Sequence, residues 1–154
     1  MTLRKIISGG QTGVDRAALD VALELGVDCG GWCPKGRLAE DGPIPQHYPL
    51  QETASSNYPV RTERNVQISD ATLILNVGVL DGGTALTADL ANKNSRPFKV
   101  INLDEPTDTE EILVWLREHR VSLLNIAGPR ASKRPDICQI AYQFLHKLIT
   151  LAVK

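Results

Sequence analysis

The sequence predicts an α/β fold of three layers, in which a mainly parallel sheet of five strands lies between two layers of helices. Short apolar segments alternate with amphipathic segments along the chain, which is the pattern of repeated β-α units. The segment at 71–77 is apolar at nearly every position, as in a central strand covered on both faces. The length of 154 residues suits a single domain, which we expect to span residues 1–154.

Each element follows from its own pattern. Apolar runs rich in residues that favour strands predict five strands, at 5–7, 27–33, 71–77, 98–103 and 121–126. Glycine interrupts the second of them. Apolar residues three and four apart predict helices at 17–25, 60–69, 85–93, 110–120 and 136–152. Gly26 is predicted to end the first helix and Thr109 to cap the fourth. Five prolines and two glycines predict a long irregular loop at 34–59.

Composition narrows the class of partner. The formal net charge is −1, so there is no overall basic field for nucleic acid, and no nucleic-acid partner is expected. No apolar run approaches the roughly 20 residues that span a bilayer, and no signal segment precedes the first strand, so no membrane partner is expected. We therefore expect a cytoplasmic protein.

The cysteines predict neither disulfides nor a metal site. There are three, an odd number, which argues against a disulfide framework. Cys29 and Cys33 could form a metal-binding pair, but no further cluster of cysteine and histidine supplies the other ligands. Cys29 and Cys138 are interpreted as buried free thiols, and Cys33 is given no role.

The turn between the first strand and the first helix is the first candidate for a binding site. Its three glycines let backbone N–H groups approach a ligand, and the helix start favours an anion such as phosphate. Arg16, one turn into the helix, could donate to the same anion. The turn could also be a plain connection. The turn residues proposed to bind are Gly9, Gly10, Gln11, Thr12 and Gly13.

Four strand-to-loop turns are predicted to open on one edge of the sheet, because right-handed crossovers place them at the carboxyl ends of the strands. They lie at 9–13, 33–37, 78–84 and 127–134. The basic residues that converge there are Arg16, Lys35, Arg37, Arg130, Lys133 and Arg134. A positive patch at such an edge predicts a phosphate-bearing small-molecule ligand. The alternative for Lys35 and Arg37 is a solvated basic turn.

The chain contains a Glu-Arg pair at Glu63 and Arg64, paired glycines at Gly82 and Gly83, and an acid at Asp89. These residues resemble the motifs of the LOG-like superfamily of Rossmann-like proteins, which includes nucleotide phosphoribohydrolases. Asp89 falls where the superfamily has a glutamate, and Asp81 stands in place of its proline. The resemblance implies a Rossmann-like fold and, if the chain is an enzyme that cleaves an N-glycosidic bond, the catalytic residues Glu63, Arg64 and Asp89.

A fuller resemblance, over about residues 4–145, rests on the runs at 8–16, 31–37, 39–42, 61–66, 82–87 and 125–130. These runs resemble the molybdenum carrier family of the same superfamily. The resemblance implies a carrier of molybdenum cofactor (molybdopterin) or of a nucleotide-like phosphorylated ligand, whose own sulfurs hold any metal. Besides the residues of the first turn and Arg16, it implies ligand contacts from Lys35, Arg37, Arg61, Gly82, Gly83, Thr84 and Arg130.

Three functions therefore stay open at the level of sequence. The first is the carrier, the second is the phosphoribohydrolase, and the third is an oligomeric regulatory module with a vestigial pocket. The long apolar helices, above all the one predicted at 136–152, could pair between subunits, so we expect a homo-oligomer, either a dimer or a tetramer.

Overall fold

The computed structural model describes residues 3–154, which form an α/β fold. The strands in this part of the chain are β1 (Lys5–Ile7), β2 (Asp28–Gly30), β3 (Trp32–Cys33), β4 (Leu38–Ala39), β5 (Gly42–Pro43), β6 (Gln51–Glu52), β7 (Ala71–Asn76), β8 (Phe98–Asn102) and β9 (Leu123–Ala127). The helices are α1 (Val14–Leu25), α2 (Tyr58–Ile68), α3 (Gly82–Lys93), α4 (Thr109–Glu118) and α5 (Ile137–Ala152).

The predicted three-layer, Rossmann-like fold is confirmed. Five strands form the central sheet in the order β2-β1-β9-β7-β8, and every neighbouring pair is parallel, where the sequence predicted a mainly parallel sheet. Helices α1 and α4 pack against α5, and α2 packs against α3. These two groups of helices form the outer layers, as right-handed crossovers require.

The strand order is a rearranged form of the doubly wound order. Taken along the chain, the strands of the central sheet are β1, β2, β7, β8 and β9. If β9 were counted as the first strand, the order across the sheet would read 3-2-1-4-5, which is the order of the first five strands in dinucleotide-binding folds. In that order the direction of winding reverses between the first and fourth strands. The switch point of this sheet therefore lies between β9 and β7.

The main core is formed by the central strand β7 and by the packed helices α1 and α5. All six residues of β7 are buried, as their apolar character predicted. The buried face of α1 carries mainly alanine and valine, and this lets α1 and α5 pack closely together. The long loop predicted at 34–59 forms a second, smaller core, in which its Ile44 and Leu50 pack with Leu19 of α1 and Cys33 of β3.

The loop is less irregular than predicted. Strand β6 pairs in parallel with β3, and β4 and β5 form a short antiparallel hairpin. Helix α2 begins at Tyr58, two residues earlier than predicted, because Pro59 lies in its first turn, where proline needs no hydrogen-bond partner. The second predicted strand is broken at Gly31, where a Cβ would stand 2.2 Å from the carbonyl oxygen of Ser8.

The buried side chain of Arg37 stabilises this loop through hydrogen bonds to its backbone. It is only 8% exposed, and its φ of 53° turns the chain sharply. Its guanidinium donates to the backbone carbonyls of Ile44 (2.9 Å), Pro45 (2.8 Å), Tyr48 (3.0 Å) and Leu50 (3.2 Å). These charge-assisted bonds add to the backbone pairing of the short strands in the loop.

Candidate functional site

A cavity of about 290 Å³ lies beside the carboxyl end of β9 and the start of α3. This is the carboxyl edge of the sheet at the switch point between β9 and β7, where open α/β sheets bind their ligands. The turns after β1, β7 and β9 and the start of α2 contribute its walls. Among the lining residues are Gly9, Gln11, Asp15, Tyr58, Arg61, Gly83, Thr84, Asn125, Arg130 and Lys133.

The turn after β1 is docked against the turn after β9. The N–H of Val14 donates to the carbonyl of Pro129 at 3.2 Å, and the hydroxyl of Thr12 accepts from the N–H of Ala131 at 3.1 Å. Gly13 permits this approach, since a Cβ there would stand 2.3 Å from the oxygen of Pro129. The first N–H of α1 is therefore used within the protein and is not free for a ligand.

The start of α3, by contrast, has backbone N–H groups without acceptors among the described residues. Asp81 is the N-cap, and its side chain caps no backbone N–H. The first bond back to it comes from Ala85, so within the described chain the N–H groups of Gly82, Gly83 and Thr84 have no acceptor. Because a helix start carries unpaired donors and the positive end of the helix dipole, it attracts an anion. Gly83 and Thr84 both line the cavity.

Two arginines stand over the ring of Tyr58. The guanidinium carbon of Arg61 lies 5.3 Å from the ring centre and that of Arg130 lies 5.5 Å from it. Arg61 is buried and donates from Nη1 to the carbonyl of Gly9 at 2.8 Å. Among the described residues, the guanidinium of Arg130 has no hydrogen-bond acceptor, so its donors are available to a ligand. Lys133 also lines the cavity, where it pairs with Asp81.

Of the lining residues that the sequence did not predict, among them Tyr58, Asp15 is the buried acid. It lines the cavity but is 7% exposed, and burial raises the pKa of its carboxyl from 3.8 to about 6, although Arg61 and a hydrogen bond from the Gln11 N–H act in the opposite direction. That hydrogen bond reaches Oδ2 at 3.3 Å. The available signal was an acid inside the buried stripe of α1, between Val14 and Ala17.

The side-chain amide of Gln11 forms hydrogen bonds through its oxygen but, among the described residues, none through its nitrogen. Its Oε1 accepts from the backbone N–H groups of Thr12 (3.1 Å) and Glu40 (2.8 Å). These two donors fix the orientation of the amide. Its Nε2 is buried without a hydrogen-bond partner among the described residues. Buried polar groups are nearly always paired, so an orphan beside a cavity suggests a ligand partner.

Four of the six basic residues that were predicted to converge at this edge do not line the cavity, namely Arg16, Lys35, Arg37 and Arg134. The guanidinium of Arg16 is turned to Asp41 of the β4–β5 turn (2.5 and 2.8 Å) and donates from Nε to the carbonyl of Gly10 at 3.1 Å. Arg37 uses its donors inside the long loop, and Lys35 is exposed outside the cavity. The partner of Arg16 lies 25 residues away in the sequence, and the acceptors of Arg37 lie 7 to 13 residues away across the loop, so the local pattern could not place the two guanidinium groups.

The remaining predicted residues of these turns do not line the cavity. Gly10 has φ +78°, and a Cβ there would stand 2.4 Å from the side chain of Leu50. Gly82 has φ +54° at the first residue of α3. Arg134 lies outside the cavity, where it pairs with Asp104 (2.7 Å) and Asp136 (2.9 Å).

The three residues proposed for hydrolysis do not meet in the cavity. Glu63 lies 3.3 Å from the Nζ of Lys93 on the outer surface of α2. Arg64 stacks on the ring of Trp32 at 4.1 Å from its centre. Asp89 is exposed on α3. Neighbours in sequence on a helix point in different directions, which separates Glu63 from Arg64.

Other predicted features can be located over residues 3–154. This part of the chain contains no group of three His, Cys, Asp or Glu side chains that could hold a metal ion, and none of its helices is long and apolar enough to cross a membrane. The three cysteines are free, and burial raises the pKa of each thiol. Cys33 is the fully buried one, whereas Cys29 and Cys138 are half-buried.

Comparison with known proteins gives two matches. Residues 6–149 match the family described as the circularly permutated YpsA SLOG family, a description that agrees with the rearranged strand order. The crystal structure of a protein named Putative molybdenum carrier protein, from Syntrophus aciditrophicus SB, superposes with a TM-score of 0.89. The two chains are 47% identical over 96% of this chain and 95% of the other. No curated protein matches the chain.

Proposed function

Because this chain belongs to the circularly permutated YpsA SLOG family, we propose that it is a carrier that binds a phosphorylated small molecule in the cavity at the switch point. The ligand we propose is molybdenum cofactor or a nucleotide-like compound, in keeping with the name of the 47% identical protein. The observation that carries the proposal is the start of α3, where three backbone N–H groups lack acceptors within the described chain.

The phosphate would bind at that helix start. The N–H groups of Gly83 and Thr84 would donate to its oxygens, as at other phosphate-binding helix starts. Arg130 would add a charged, planar pair of donors, and Lys133 would exchange its contact with Asp81 for one with the phosphate. These groups hold and orient a ligand, and the proposal requires no chemical step.

The donors of the cavity suit the anionic parts of molybdenum cofactor. Backbone N–H, guanidinium and ammonium groups bind phosphate and oxo groups, not a bare cation. When molybdenum is present, the sulfurs of the pterin would hold it, so the protein would supply hydrogen bonds and no metal ligand. The homo-oligomeric state and the cytoplasmic location stay predictions.

Removing the side chain of Arg130 tests where the phosphate binds. We expect Arg130→Ala to weaken the binding of GMP or of a pterin monophosphate by about tenfold, the scale of a lost hydrogen bond to a charged group. Titration calorimetry measures the affinity. The matched control is Arg117→Ala, which removes an exposed arginine on α4 and should leave the affinity unchanged. Equal affinities for both variants and the wild type would place the phosphate elsewhere.

A further inference from the structure

We infer that the inner wall of the cavity recognises the amino-oxo pyrimidine edge that pterins and guanine share, with Asp15 accepting from its N–H groups and Gln11 donating to its carbonyl oxygen. This inference rests on the proposed function, since it concerns the same cavity. Asp15 and Gln11 are 7% and 5% exposed, whereas Gly83 at the proposed phosphate position is exposed, so the two side chains lie deeper.

Asp15 is a buried acceptor that forms no salt bridge among the described residues. In the part of the chain that the structure describes, no lysine or arginine nitrogen lies within 4.0 Å of its carboxylate. Its side chain receives one long hydrogen bond, from the N–H of Gln11 to Oδ2. A buried carboxylate is unfavourable unless donors surround it. A ligand that brings donors to this position would complete its hydrogen bonding.

Gln11 supplies the opposite kind of group. Because Oε1 already accepts from Thr12 and Glu40, the amide cannot flip without losing both bonds, and the free atom is a donor. A buried donor without a partner is unfavourable in the same way. The cavity wall thus offers an acceptor and a donor on two residues that are already joined by the hydrogen bond from the N–H of Gln11 to Asp15.

An amino-oxo pyrimidine presents the complementary edge. Its ring N–H and its exocyclic amine are two adjacent donors that a carboxylate accepts together, and its carbonyl oxygen accepts from an amide. Adenine offers the carboxylate one amine donor, beside a ring nitrogen that is an acceptor and would face negative charge. The pair of Asp15 and Gln11 therefore favours pterin or guanine over adenine.

Calorimetry at pH 8 with four probes tests this inference. The probes are GMP, a pterin monophosphate, AMP and inorganic phosphate. We expect the wild type to bind GMP, the pterin monophosphate or both at least about tenfold more tightly than AMP, since a carboxylate that loses a donor pair is left unpaired. The member of the pair that binds more tightly identifies the source of the shared edge. Asp15→Asn should lose this preference and keep its affinity for inorganic phosphate.

The controls separate this inference from the function on which it rests. Glu24→Gln removes an exposed acid from the same helix and should keep the preference. Should Asp15→Asn fail to fold, Gln11→Met gives a second variant, in which the preference should fall at least about threefold. Equal binding of AMP and both amino-oxo compounds, or an unchanged preference in Asp15→Asn, overturns the inference while the carrier function stands. Absence of binding by all four probes overturns both.

Discussion

Replacing Asp15 by asparagine should make the protein more stable at pH 8. The wild-type carboxyl is ionised there in both the folded and the unfolded chain, but in the folded chain it is buried, and the attraction of Arg61, Arg130 and Arg16 offsets only part of the cost of burial. The rise of its pKa from 3.8 to about 6 corresponds to roughly 3 kcal/mol of unfavourable free energy. Asparagine is uncharged and of the same shape, and its oxygen can still accept from the N–H of Gln11.

The effect should depend on pH in a definite direction. Between the unfolded pKa of 3.8 and the folded pKa of about 6, the folded state holds more protons than the unfolded state. The free energy that Asp15 contributes to folding is therefore fully present below pH 3.8 and is lost as the pH rises through 6. Urea unfolding of both proteins at pH 8 and at pH 4 measures this. The advantage of Asp15→Asn should be large at pH 8 and small at pH 4.

The control removes an exposed acid from the same helix. Glu24→Gln, on the exposed face of α1, should change the free energy of unfolding by less than about 0.5 kcal/mol at either pH. A wild type that is more stable than Asp15→Asn at pH 8 would mean that the carboxylate is well paired in the folded state. A residue that lowers stability at a cavity is typical of a functional site, where binding requires what folding does not.

The second large effect is expected at Gly13. Gly13→Ala should lower the free energy of unfolding by about 3 kcal/mol or more, because two penalties add. Its φ of +83° is strained for any residue with a Cβ, and that Cβ would stand 2.3 Å from the oxygen of Pro129 and 3.0 Å from the N–H nitrogen of Ala131. The two turns would have to separate, so ligand binding should weaken together with stability. Urea unfolding and calorimetry measure the two effects.

Gly26 provides a matched control at the other end of the same helix. Its φ of +69° is also positive, but no heavy atom beyond its own chain neighbours lies within 4 Å of the position of a Cβ. Gly26→Ala should therefore show only the backbone strain, about 1 kcal/mol, and should leave ligand affinity unchanged. Equal destabilisation by the two substitutions would show that the docking of the turn after β1 on the turn after β9 contributes little.

The fold could be predicted from local patterns because each layer has its own period. The alternation of strands and helices and the apolar run in β7 were enough for a parallel sheet between two layers. The position of β9 between β1 and β7 could not be read in this way, since it depends on contacts between distant segments. The internal order of the long loop depends likewise on Arg37 and the carbonyls that it reaches.

The site divides in the same way, into turns that local patterns predict and contacts between distant segments that they do not. The turns of the carboxyl edge were predicted, and the structure brings Gly9 and Gln11 to one cavity with Gly83, Thr84 and Arg130. The direction of a long side chain was not predictable, because Arg16 finds Asp41 across the β4–β5 turn. Asp15 was overlooked because an acid in the first turn of a helix is common and is usually explained by the helix dipole.

The most direct test of the central claim compares each ligand with its own dephosphorylated form. Titration calorimetry of the wild type would be run with GMP against guanosine and with a pterin monophosphate against the free pterin. If a phosphate group binds at the start of α3, at least one phosphorylated compound should bind at least about tenfold more tightly than its partner, as expected for charge-assisted bonds to a helix start. Equal binding within both pairs, or no binding in either, would contradict a phosphate site at α3.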